Sequence, residues 1–145
     1  MLFRSTLCPV PAIDTKEFAK LLTLNLIAQQ QLIAAFDPML RSSGSASVIG
    51  VTSTVGQTPR AYWGGYGCSK AALDMLLLTY AQEVANISGI RVAIVNPGAT
   101  ATKMRAKAFP GEDPDTLKPP SVVGDAIARL VIDGFETGYQ IRVEG

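Results

Sequence analysis

S-T-V-G-Q-T-P-R-A-Y-W-G-G-Y-G-C-S-K, Ser53 to Lys70, sets a hydroxyl, a phenol and an amine in the order strand end, Gly/Pro loop, helix start. A helix beginning near Gly65 puts Tyr66 and Lys70 four positions apart, on one face and about one turn from each other. An ammonium beside a phenol favours the phenolate and lowers its pKa. The positive end of the helix dipole pushes the same way on a residue in the first turn. A tyrosine tuned in this manner can pass a proton at neutral pH. Ser53 closes the strand V-I-G-V-T-S, where its hydroxyl can hold a carbonyl or alcohol oxygen beside the phenol. The three groups surround one oxygen atom.

Upstream, residues 1–13 read as an irregular lead-in. Asp14 and Glu17 have capping-box spacing ahead of K-E-F-A-K-L-L. Phe18, Leu21, Leu22, Leu26, Leu32, Ile33 and Phe36 recur at helical intervals to about Leu40. Asn25 lies inside that helix, although asparagine competes there for backbone hydrogen bonds. Residues 29–31, all glutamine, read as a solvated face. R-S-S-G-S at 41–45 is a turn and Ala46 to Thr52 a buried strand. The loop from Gly56 to Gly65 carries Tyr62 and Trp63 as aromatic walls, packed onto the next helix.

Downstream, a helix from about Tyr66 to Asn86 is rich in Ala and Leu on several sides and predicts cover on more than one face. I-R-V-A-I-V at 90–95 is the clearest strand and runs into Asn96-Pro97-Gly98. In open α/β sheets ligands bind beyond the carboxyl ends of strands, and Ser53 and Pro97-Gly98 both lie at such ends. Gly98 lets backbone approach a ligand closely, and Thr100 or Thr102 can hydrogen-bond an amide or phosphate. Residues 103–120, with four prolines, read as a substrate-side loop over the crevice. Pro119-Pro120-Ser121 opens a last helix, and Gly138 to Val143 is a final strand.

Composition narrows the chemistry. The 145 residues suit one domain, and 48% hydrophobic content suits strands buried on both faces. A net charge of +1 points to neither nucleic acid nor an anionic membrane as partner. The absence of histidine removes Ser-His-Asp, Cys-His and H-E-x-x-H chemistry. Cys8 and Cys68 are too few and too far apart for a C-x-x-C pair or a zinc cluster, so no metal site is expected. Without a signal-peptide core or a run long enough for a membrane span, the sequence predicts a cytoplasmic protein.

The string Y-G-C-S-K-A-A-L, with Ser53 thirteen positions before Tyr66, resembles the active-site segment of the short-chain dehydrogenase/reductase family. Asn25 in T-L-N-L-I-A resembles the family's helix asparagine, V-I-G-V-T-S-T-V-G at 48–56 its serine-bearing strand, and N-P-G-A-T-A-T at 96–102 its nicotinamide-side loop. The resemblance covers nearly the whole chain from about Ile13. It implies an oxidoreductase using NAD or NADP, with hydride passing between the nicotinamide and a small-molecule carbonyl or secondary alcohol. Tyr66 is then the general acid or base. Lys70 lowers its pKa and holds the nicotinamide ribose, Ser53 orients the substrate oxygen, and Asn25 at a helix kink supports a proton relay through a water. Tyr66, Lys70, Pro97, Gly98, Thr100 and Thr102 form the cofactor-binding set, Thr102 on the carboxamide, and a homo-oligomer is expected of the intact form.

The implied fold is a Rossmann-like parallel α/β sheet flanked by helices, truncated to its C-terminal half as a single partial domain. No Gly-rich turn follows a strand ahead of Asn25 to seat a pyrophosphate on a helix N-terminus, and the family's N-N-A-G segment is missing. The chain is therefore expected to be inactive alone. The alternative expectation is a non-catalytic truncated partner that associates with full-length relatives through its helices. Either way the strand at 46–52 should be left as an open apolar edge.

Overall fold

The apolar run at 90–96 becomes the middle of a sheet. In the computed structural model, which describes residues 7–144, β1 (Ala46–Val51), β2 (Ile90–Asn96) and β3 (Tyr139–Arg142) pair in parallel in the order β1-β2-β3. Ala46 stands opposite Ile90 and Val51 opposite Val95, while Ala93 stands opposite Tyr139. Val92, Ala93, Ile94 and Val95 are all buried, so β2 is covered on both faces, as its unbroken hydrophobic run requires.

The sheet is flanked by helices α1 (Thr15–Leu22), α2 (Ala28–Ser42), α3 (Thr54–Gln57), α4 (Gly64–Val84), α5 (Lys103–Ala108) and α6 (Pro120–Asp133). α4 carries the core. Leu73, Leu77, Tyr80, Ala81 and Val84 pack with Ile90, Val92 and Ile94, residues two apart that share one face of β2. The Tyr80 hydroxyl reaches out of this cluster to donate to Asp37 Oδ1 at 2.7 Å, which ties α4 to α2.

The long first helix starts where the cap predicts it, with Asp14 accepting from the Glu17 amide at 2.9 Å. The Glu17 side chain bonds Lys20 instead of closing the box. The helix runs to Ser42 but is not uniform, because residues Thr23–Ile27 form a π-turn between α1 and α2. Asn25 sits at its centre.

Several boundaries differ from the sequence reading. β1 stops at Val51, so Ser53 lies just beyond the strand and opens α3. α4 ends at Val84, short of Asn86. The stretch 103–120 is not a plain loop: Thr102 Oγ1 accepts from the Arg105 amide at 3.1 Å and caps α5, and Pro114–Thr116 adds a 3-10 turn. The lead-in likewise holds a 3-10 turn at Val10–Ala12, and its first six residues lie outside the described ones.

Among the described residues β1 pairs only with β2, leaving its other side open. A groove of about 460 Å³ runs there, between β1 and the α2 side chains Leu32, Ile33, Phe36 and Leu40. This is the apolar edge that the sequence predicts. No helix among the described residues is long and apolar enough to cross a membrane.

Candidate active site

Ser53 and Tyr66 come from different elements and are brought together by two glycines. A Cβ on Gly67 would stand 2.8 Å from the Val55 carbonyl oxygen, and one on Gly56 would stand 3.0 Å from Lys70 Cβ. Only bare backbone lets α3 lie this close to the first turns of α4. Ser53, extended at φ −157°, is thereby held beside Tyr66, and the Tyr-x-x-x-Lys pair rises on one face of α4. Ser53, Tyr66, Lys70, Pro97, Gly98, Thr100 and Thr102 all line one crevice of about 420 Å³ beyond the carboxyl ends of β1 and β2.

The electrostatics differ from the expected pattern. Burial pushes the Tyr66 phenol above its ordinary pKa, with the Ser53 hydroxyl acting against that shift. Burial also pushes Lys70 down, while Asp74 acts the other way. The ammonium does not lower the phenol here, because Lys70 Nζ is turned to donate to the Val51 carbonyl at 2.9 Å and stands 5.9 Å from the centroid of the Tyr66 ring. Desolvation outweighs an attraction across that distance.

Asn25 enters through a residue that sequence reading passed over. Its Nδ2 donates to Ser69 Oγ at 3.0 Å, and Ser69 Oγ donates to the Tyr66 carbonyl at 2.8 Å. The π-turn thus anchors the start of α4. Asn25 itself faces the groove beside β1 and not the crevice, whereas Lys70 borders both. Sequence spacing cannot reveal Ser69, whose partner lies 44 positions away.

Across the crevice, Asn96 is the organising residue. Its Oδ1 accepts from the Gly98 amide at 3.0 Å and its Nδ2 donates to Thr54 Oγ1 at 3.1 Å, which locks the ends of β1 and β2 together. Gly98 takes φ +61°, a left-handed conformation that favours glycine. Thr100 is buried, with its hydroxyl donated to the Pro97 carbonyl at 3.0 Å, so it braces the loop. Thr102 is exposed at the lip, and its hydroxyl proton is free of the capping bond that its oxygen accepts.

Of two further features, the first carried no sequence signal and the second was expected only of the Tyr62–Trp63 loop, not of Phe109. Asp74, one turn after Lys70, is 8% exposed and Thr52 is 2% exposed, yet neither carboxylate oxygen nor the threonine hydroxyl has a hydrogen-bond partner. Burial raises the Asp74 pKa, opposed by nearby Thr52, Lys70 and Gln57. The outer wall of the crevice is aromatic: Trp63 stacks on Phe109 with centroids 5.7 Å apart.

A parallel α/β sheet with this hydroxyl, phenol and amine at its strand ends defines a class, and comparison with known proteins agrees. The model of the short chain dehydrogenase family matches residues 4–113. The chain belongs to that family. It is 37% identical over 114 residues to the uncharacterized oxidoreductase YciK of Escherichia coli K12, covering 79% of this chain and 44% of that protein. A short chain dehydrogenase from Salmonella enterica serovar Typhi superposes with a TM-score of 0.89 at 32% identity, covering 96% of this chain and 58% of the other. Another, from E. coli CFT073 and complexed with NADPH, gives 0.88 at 33% identity, with 96% and 58% covered. The chain thus spans well under two thirds of the length of these relatives.

Proposed function

We propose that this chain is the catalytic portion, one partial Rossmann-type domain, of an NAD- or NADP-dependent oxidoreductase acting on a carbonyl or secondary alcohol. The observation that carries the reading is the meeting of Ser53, Tyr66 and Lys70 with the Pro97–Thr102 loop around one crevice. The donor set fits the nicotinamide end of a dinucleotide: the Lys70 ammonium suits ribose hydroxyls, Thr102 suits a carboxamide, and the Gly98 backbone permits close approach. When bound, that cofactor supplies or accepts the hydride at the substrate carbon.

The chain's own groups handle the proton. In reduction, Tyr66 Oη gives its proton to the substrate oxygen, which Ser53 Oγ holds in place. In oxidation the phenolate takes the proton back. The phenol carries the proton that reduction consumes, and because burial makes it a weaker acid, on this reading Lys70 must offset that shift. Lys70, once its ammonium is drawn from the Val51 carbonyl toward the phenol and a ribose, eases the return of the tyrosine to its ionised form. Asn25 serves by fixing the start of α4 through Ser69, beside the groove from which protons reach Lys70.

The test uses a protein that joins this chain to the further length its relatives possess. Tyr66→Phe keeps the ring and deletes the transferable proton, and should cut NAD(P)H-dependent turnover by about 10²–10⁴-fold with the fold intact. Retention of more than a few per cent of activity, roughly the floor set by the usual worth of acid-base catalysis, removes Tyr66 from the role. A second reading, a non-catalytic partner that pairs with longer relatives, draws support from the open β1 edge and from Leu32, Phe36 and Met39 exposed on α2. It predicts association without nicotinamide binding. A cytoplasmic location and a homo-oligomeric whole enzyme remain part of the first reading.

A further inference from the structure

The crevice is divided by chemistry. Its hydroxyls and ammonium gather at the strand ends, at Ser53, Tyr66, Lys70 and Thr102, whereas the rest of its wall includes Trp63, Met104, Ala108, Phe109 and Val123. The aromatic part of that wall is continuous with the phenol. Trp63 meets Tyr66 edge-on with centroids 5.9 Å apart and an interplanar angle of 67°. Trp63 also lies nearly parallel to Phe109, at 5.7 Å and 20°. Three rings thus lead outward from the proton donor.

This wall is braced. Tyr62 is held at φ +70°, a left-handed conformation that is uncommon for a non-glycine residue and that here turns the chain just before Trp63. The Trp63 amide donates to Arg60 O at 3.1 Å and its carbonyl accepts from the Gly67 amide at 2.7 Å, so the indole's backbone is fixed on both sides. Phe109 is covered by two guanidiniums, Arg105 at 3.9 Å and Arg60 at 4.7 Å from the ring centroid. Arg105 is in turn fixed by two bonds to Glu112, at 2.6 and 2.5 Å.

These features select among substrates. The Arg105 guanidinium spends its Nε and one Nη2 bond on the Glu112 carboxylate, which offsets its charge, and among the described residues no carboxylate lines the crevice to receive a cation. A polyol or sugar would find its hydroxyl partners at the strand ends and few along Trp63, Met104 and Phe109, where an apolar ring gains more. Resting on the oxidoreductase reading above, we propose that the substrate carries its carbonyl or secondary alcohol directly on a neutral aromatic ring, seated against Trp63 and Phe109.

Trp63 is the chain's single tryptophan, so its emission reports occupancy of the wall. The chain as it stands is titrated with α-methylbenzyl alcohol, with its cyclohexyl counterpart and with sorbitol, and binding is followed by Trp63 fluorescence and ligand-observed saturation-transfer NMR. The benzyl compound should bind more tightly than the cyclohexyl one by about threefold to tenfold, the usual worth of an aromatic pair beyond burial, and sorbitol should not bind. Phe109→Leu should abolish that preference, and Phe109→Tyr should keep it. Equal binding of the two ring compounds, preference for sorbitol, or no binding of either ring compound overturns the proposal; the ligand comparison on the unmodified chain decides this even where a variant fails to fold. Failure of the oxidoreductase reading looks different, since NAD(P)H-dependent turnover in the longer protein would then be absent while the aromatic preference persisted.

Discussion

Asp74 shows how a single side chain sets a pH dependence. Its carboxyl is buried without a hydrogen-bond partner, and burial outweighs the Lys70 charge one turn away, so its pKa is raised. The folded state then holds the proton more tightly than the unfolded chain. Stability from this group is greatest below the ordinary aspartate pKa and is lost as pH rises through the folded value. Asp74→Asn removes that loss. The variant should unfold a few degrees higher than the parent at pH 7, on the scale of about 2–4 °C per kcal/mol for a chain of this size, with the gain vanishing under acid conditions. Thermal melts at the two pH values check this, and a loss of stability at pH 7 would show that Asp74 gains more from Lys70 than burial costs it.

At the scale of elements, the active-site geometry depends on how closely α3 lies on α4. Gly67 falls between Tyr66 and Lys70 in sequence, and a side chain there would run into the Val55 carbonyl. Gly67→Ala must therefore push α3 away, carrying Ser53 from Tyr66, at a cost of about 1–3 kcal/mol as for other overpacked sites. The expected result is a lowered denaturation midpoint, together with a rise in hydrogen exchange at the Gly56 amide, which bonds the Ser53 carbonyl at 2.9 Å. Unchanged exchange there would mean that α4 and not α3 gives way. The π-turn at Thr23–Ile27 works in a similar manner from the other side, since it delivers Asn25 to Ser69 and so to the Tyr66 backbone.

At the scale of the molecule, the crevice adjoins an open sheet edge. On the oxidoreductase reading the crevice offers contacts for one end of a dinucleotide, but no Gly-rich turn precedes Asn25 in this stretch to seat its pyrophosphate, and that seat supplies much of the attraction. Studied alone, the chain should bind NADH or NADPH with a Kd of about a millimolar or weaker and should turn over no alcohol or carbonyl, since acid-base groups act only on a hydride donor held within reach. It should also self-associate along β1, where Val51 is 42% exposed and backbone groups lack a neighbouring strand. Isothermal titration and light scattering test both statements. Micromolar binding by a clean monomer would contradict them.

The sequence alone determined the parallel α/β order of elements, the central strand and the pairing of Tyr66 with Lys70 on one helix face, because these follow from local periodicity, turn residues and i, i+4 spacing. It also showed that these 145 residues hold neither histidine nor a glycine triplet ahead of Asn25, which is read directly from composition and order. The tertiary structure decided the rest. Ser69, Asn96 and Phe109 acquire their roles from partners far along the chain and Asp74 from its burial, while the stretch 103–120 gains a helix from a Thr102 cap and an Arg105–Glu112 pair. The direction of the Tyr66 shift likewise rests on burial and on where Lys70 Nζ points, both products of packing, and spacing along a helix carries no record of either.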